Sequence, residues 1–132
     1  MKYIKEFKYI SDHMKDESEE FVVKSVDYED FTGEHDDYEG ILQINLENGR
    51  SLVAEEDSGG EMAVFQIEVL TLKHVKRERS LNPGDVISLI GRSVPLTPYI
   101  MYYPEAIKIN GERYKASVGS EGGNPECYLL LL

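Results

Sequence analysis

Ala106-Ile107-Lys108-Ile109-Asn110-Gly111-Glu112-Arg113-Tyr114-Lys115-Ala116 is the stretch that decides the fold class. Asn-Gly between two period-two segments is a strong hairpin signal, because both central residues of a type I′ turn need positive φ. With Asn110 and Gly111 as the loop, Ile107 falls opposite Tyr114 on one face and Lys108 opposite Arg113 on the other. Those two neighbouring cations cost stability unless an acid from the 12 to 61 segment sits nearby.

A second Asn-Gly turn lies upstream. Leu42, Ile44 and Leu46 alternate with Gln43 and Asn45, the pattern of a half-buried strand, and Asn48-Gly49 follows. A two-residue loop there sets Ile44 opposite Val53 and Asn45 opposite Leu52, a register that is less clean on the return strand. Met62 to Val75 alternates Phe65, Ile67 and Val69 against Gln66 and Glu68, with Leu70 and Leu72 on the second face, and reads as one long strand, bent or bulged. Val86 to Ile90 reads as a short buried strand ended by Gly91, and Gly119 to Pro125 as a loop. Tyr128 to Leu132 reads as a last strand and Phe21 to Val26 as part of a strand over 20 to 29. At the N-terminus Tyr3, Phe7, Ile10 and Met14 share one helical face, so a short helix, or a strand, is expected over 2 to 10.

Five strands between 41 and 118 with tight turns and no βαβ pattern predict a mainly β fold, a small antiparallel barrel or strongly coiled sheet with at most one short N-terminal helix. Leu81-Asn82-Pro83-Gly84-Asp85-Val86-Ile87-Ser88-Leu89-Ile90-Gly91 looks like the approach to a barrel strand in OB-like and SH3-like folds, a resemblance of fold that carries no activity. Residues 1–132 are read as a single domain. A chain of 132 residues buries roughly two-thirds of its unfolded surface and needs no disulfide or metal to hold a core. It has one cysteine, Cys127, without a neighbouring cation to activate it, and the first residues lack the apolar stretch of a signal peptide. A cytoplasmic location is expected, with no membrane partner, since the longest aliphatic run is Leu129 to Leu132.

Charge is distributed unevenly. The net charge is −11, and residues 12 to 61 alone hold 17 acids against 3 bases. Asp27, Glu29, Asp30, Glu34, Asp36, Asp37 and Glu39 crowd one short stretch, which reads either as solvated loop or as a docking face for a basic partner. Such a field repels nucleic acid, and Lys73 to Arg79, the one basic cluster, is too small to reverse that.

No chemical motif stands out. Setting Gly33 at position 6 of a calcium loop places Tyr28 where a carboxylate must stand, and the flanks read as strands where helices are required. Histidines 13, 35 and 74 lie in three separate segments without metal-ligand spacing, and no nucleophile elbow, P-loop or dinucleotide fingerprint is found. Neither metal nor cofactor is expected. Pro95-Leu96-Thr97-Pro98-Tyr99-Ile100-Met101-Tyr102-Tyr103-Pro104 is the most informative stretch for function. Its prolines predict an edge strand or ordered loop; Ile100, Tyr102 and their neighbours read either as closing the barrel's end or, since Tyr and Met are residues that interfaces favour, as contact with a partner or a second copy, with a small-ligand pocket as the third reading.

The reading is therefore a noncatalytic acidic binding or accessory module acting through protein contacts. Its partner-binding residues are Tyr99, Met101, Tyr102 and Tyr103 as apolar anchors, with Asp27, Glu29, Asp30, Asp36 and Asp37 as the acidic face. The partner is a protein with a basic surface, or a second copy in a homodimer. The alternative is a small-ligand-binding barrel or an enzyme with a pocket at the barrel mouth.

Overall fold

A computed structural model describes residues 17–32, 37–56, 63–70, 76–78, 80–120 and 126–132. Its strands are β1 (Phe21–Thr32), β2 (Asp37–Leu46), β3 (Ser51–Glu56), β4 (Ala63–Leu70), β5 (Lys76–Glu78), β6 (Val86–Leu96), β7 (Tyr99–Ile109), β8 (Glu112–Ser120) and β9 (Cys127–Leu131). The helix or strand expected over 2 to 10 lies outside the described residues.

The β7–β8 hairpin has the predicted register, with Ile107 opposite Tyr114 and Lys108 opposite Arg113. Asn110 (φ 50) and Gly111 (φ 87) supply the two positive φ values of a type I′ turn. The Asn110 side chain ties the turn to the next loop: its amide donates to Asp85 Oδ1 (2.9 Å) and its carbonyl accepts from the Val86 N–H (2.9 Å). The charge strain is relieved as the sequence required, by Glu17 Oε1 at 2.9 Å from Lys108 Nζ.

The β2–β3 hairpin departs from the expected register by one residue. Ile44 pairs with Leu52 and Asn45 with Ser51. Leu46 donates to the Arg50 carbonyl and accepts from the Gly49 N–H, which makes a three-residue loop with Gly49 (φ 86) in the left-handed position. Burial explains the choice. A two-residue loop would turn Leu52 to solvent, whereas this register buries both Ile44 and Leu52 completely.

Each strand is antiparallel to its neighbours, and six of them close a ring. β1 pairs with β2, β2 with β3, β3 with β9, β9 with β7, β7 with β6, and β6 returns to β1 through Phe21–Ile87 and Val22–Val86. This is the predicted small antiparallel barrel. β8, β4 and β5 extend the sheet from the second half of β7, and β4 touches β2 again at Ile41–Phe65. That approach depends on Gly40, where a Cβ would lie 2.6 Å from Val64 Cβ. The run from Met62 to Val75 is not one strand. β4 ends at Leu70 and β5 folds back on it, with Val69 opposite Arg77. Nor does a loop start at Gly119, since Gly119 and Ser120 complete β8 opposite Val64 and Ala63.

The interior is filled by side chains from all the ring strands, among them Phe21, Ile44, Leu52, Leu89, Tyr102, Leu129 and Leu131. Phe21 meets Tyr102 edge to face, ring centroids 6.5 Å apart. Tyr28 bolts β1 to the loop before β6: its hydroxyl donates to the Leu81 carbonyl (3.1 Å) and accepts from the Leu81 N–H (2.9 Å).

β6 and β7 correct the sequence reading most. Gly91 does not end β6. It forms a bulge at which Ile90 pairs with Ala106 and Gly91 with Pro104, leaving Glu105 as the extra residue. β6 then runs on to Leu96, and the loop Thr97-Pro98, joined by a cis peptide bond, returns the chain into β7. The proline-bracketed segment is therefore no edge: Ile100, Met101 and Tyr102 pair with β6 on one side and β9 on the other. The prolines are tolerated for local reasons. Pro104 stands at the bulge, between the stretches of β7 that pair with β9 and with β8, and Pro95 has no described strand on its second edge.

Candidate interaction surface

Strand parity sorts the aromatic segment into two faces. Tyr102 and Pro104 are buried and Ile100 packs on the core, so Tyr99, Met101 and Tyr103 stand on the outside of the wall. On β9, Leu129 and Leu131 are buried, which turns Tyr128, Leu130 and Leu132 outward beside them. β6 adds Arg92, Val94 and Leu96, and β3 adds Ser51, Val53 and Glu55.

These positions form three rows across β6, β7, β9 and β3. Leu96, Tyr99 and Leu132 make the first, ending at Ser51, whose carbonyl accepts from the Leu132 N–H. They are 48%, 45% and 47% exposed, and they are all the large hydrophobic side chains found exposed among the described residues. Their adjacency in register makes one patch where scattered exposure would mean nothing. Val94, Met101, Leu130 and Val53 make the second row, each half-buried. The third runs Arg92, Tyr103, Tyr128, Glu55: the Arg92 guanidinium lies 4.1 Å from the Tyr103 ring centre, and the two tyrosine rings are 5.8 Å apart. Arg92 also holds Glu126 at 3.0 Å.

A polar border follows on β2 and β1. Val53 pairs with Gln43, and Gln43 with Asp27, so the second row ends in a carboxylate. Asn45 knits this border together: its amide donates to Ser25 Oγ (2.9 Å) and Asp27 Oδ2 (3.4 Å), and its carbonyl accepts from Gln43 (2.8 Å) and Ser51 (3.1 Å). Arg50 closes the other end by donating to the carbonyls of Leu132 (3.2 Å) and Pro98 (3.4 Å). An apolar centre with a satisfied polar rim is the anatomy of a protein interface.

Three of the four aromatic-segment anchors, Tyr99, Met101 and Tyr103, share this face, while Tyr102 belongs to the core. Burial pushes the Tyr102 phenol above its usual range; Glu19 adds to the shift and Arg50 opposes it. Of the acidic residues, Asp27 is exposed at the border. Glu29, Asp30 and Asp37 occupy strand positions opposite Gly40, Glu39 and Thr32, so these acids sit on a paired ribbon where the sequence allowed a loop. Asp36 lies outside the described residues. Val53, Arg92, Val94, Leu96, Leu130 and Leu132 were missed by sequence reasoning. One signal was available: Tyr128 to Leu132 has no polar alternation, so whichever leucines face the core, others must face out.

No helix among the described residues is long and apolar enough to cross a membrane. Compared with known proteins, the chain matches no family model, no curated protein and no solved structure.

Proposed function

We propose that this chain is a noncatalytic binding or accessory module of the cytoplasm that works through protein contacts. The observation that carries the reading is the contiguity of Leu96, Tyr99 and Leu132 on the outer wall, backed by Val94, Met101, Leu130 and Val53. A patch of this kind, the one place where large apolar side chains stand exposed among the described residues, marks a contact surface. The filled barrel interior also favours binding on the outside of the wall over binding within it. The acidic segment from 12 to 61 steers a partner with a basic surface and disfavours nucleic acid and anionic membranes.

The test is capture of partners from source lysate with wild type and with a Met101→Glu, Leu130→Glu variant, each checked for folding by circular dichroism. A partner held by the wild type and released by the folded variant supports the reading. Equal recovery of every partner by both proteins overturns it.

A further inference from the structure

We infer that the occupant of this apolar face is a second copy of the same chain, packed face to face about a two-fold axis that runs along the strands between β7 and β9. The inference rests on the binding-face reading above and adds the identity and geometry of the occupant.

Charge and shape both point to self-pairing. Such an axis exchanges the two ends of each row, because rotation about a line in the contact plane carries β6 of one copy over β3 of the other and β7 over β9. In the third row the ends are Arg92 and Glu55, both exposed and of opposite sign. The axis therefore brings Arg92 of each copy over Glu55 of the other, twice per dimer. The same operation lays Tyr103 over Tyr128, Met101 over Leu130, Val94 over Val53, and Tyr99 over Leu132, with Leu96 over Ser51 at the rim. Every outward residue of β7 and β9 in the three rows thus meets an apolar or aromatic one, and Arg92, which holds its own Glu126 at 3.0 Å, is shared with Glu55 of the other copy.

Size agrees with this. Strand spacing of about 4.8 Å and a same-face repeat of about 7 Å give the three rows roughly 400 Å² once side chains are included. That is half of the roughly 800 Å² per partner in a standard interface, the size of a weak, concentration-dependent contact. Sheets stacked with strands nearly aligned are an ordinary packing. The acidic ribbon of β1 and β2 stays outside the contact, so a dimer of chains carrying −11 each keeps its strongest repulsion away from the joined faces.

Sedimentation equilibrium across a wide concentration range tests this, with wild type, Arg92→Glu and Glu55→Arg, all verified as folded by circular dichroism. Wild type is expected to dimerise, and each single reversal, which opposes like charges twice, to raise the dissociation constant by at least roughly tenfold. Mixing the two variants is expected to restore a heterodimer, since the acid introduced at position 92 would then face the base introduced at position 55, and the unaltered Glu55 of one chain would face the unaltered Arg92 of the other. Wild type that stays monomeric throughout overturns the second copy as occupant; if the Met101→Glu, Leu130→Glu variant still loses a partner, the binding face stands without it. A wild-type dimer that both single reversals leave intact, or a mixture that fails to re-form one, overturns the two-fold arrangement.

Discussion

Gly91→Ala tests whether the bulge that orients the candidate interaction surface is held by exclusion of a side chain. Gly91 has φ 153, and a Cβ built on it would lie 2.2 Å from the Tyr103 carbonyl oxygen and 3.0 Å from Pro104 Cα. The first contact is about 1 Å inside the ~3.3 Å at which carbon and carbonyl oxygen ordinarily meet. Both neighbours are backbone, so no side chain can rotate away. Strained backbone costs about 1–3 kcal/mol and forced overpacking about as much again, which gives an expected loss of about 2–6 kcal/mol. For a domain of this size that is a fall on the order of 10 °C in Tm. The internal control is Gly111→Ala, at φ 87 but with nothing within 4 Å of the added Cβ, where only the conformational cost of about 1 kcal/mol applies. Urea unfolding followed by far-UV circular dichroism gives both values in one experiment. If Gly91→Ala costs no more than Gly111→Ala, the bulge does not depend on the missing Cβ and the reasoning fails.

Three further outcomes are expected. Because the folded Tyr102 pKa lies above its unfolded value near 10, the stability this group contributes is complete below that pH and is lost as pH rises through the folded value; Tyr102→Phe should therefore lose less stability than wild type in urea unfolding above pH 10, and parallel pH profiles would contradict this. Replacing Asp27, Glu29, Asp30, Asp36 and Asp37 by Asn or Gln should slow association with a basic partner more than it speeds dissociation, measured by stopped flow at low salt, and a rate unmoved by salt would refute electrostatic steering. Glu17→Gln should cost under ~1 kcal/mol in thermal unfolding, because the Lys108–Glu17 pair is well exposed to solvent, whereas a larger loss would mean that Glu17 anchors its segment to β6 by more than charge.

The sequence carried the fold class because the signals that decide it are local. Asn110-Gly111 dictates both its turn type and its register, and the charge conflict it creates named in advance the need for an acid that Glu17 meets. Asn48-Gly49 shows the limit of the same signal. Two-residue and three-residue loops both accept Asn-Gly, and the choice is made by whether Leu52 or Val53 faces a core whose other wall comes from β9, near the far end of the chain. The reversal between β4 and β5 was hidden for a related reason. Apolar residues on both faces look alike whether a strand continues or folds back, and no Gly or Pro marks the turn.

The candidate surface was half legible, and the bulge explains which half. Proline in Pro95 to Pro104 was read as a bar to central pairing, but a central strand can place proline where its neighbour changes, and β7 passes from β9 to β8 at Pro104. Glu105 does more than accommodate the proline. Beyond it Ile107 and Ile109 face the core, before it Ile100 and Tyr102 do, so the one extra residue switches the inward set from even to odd numbers along the strand. Without that switch the alternation would send Tyr99, Met101 and Tyr103 inside and leave Ile100 and Tyr102 on the wall. Composition alone marks all of these residues as apolar; the side each takes is set by a single inserted residue opposite a glycine that alone permits it. The bulge is thus what ties the packing of the barrel to the chemistry of its outer face, and it is there, more than in any aromatic side chain, that the surface is specified.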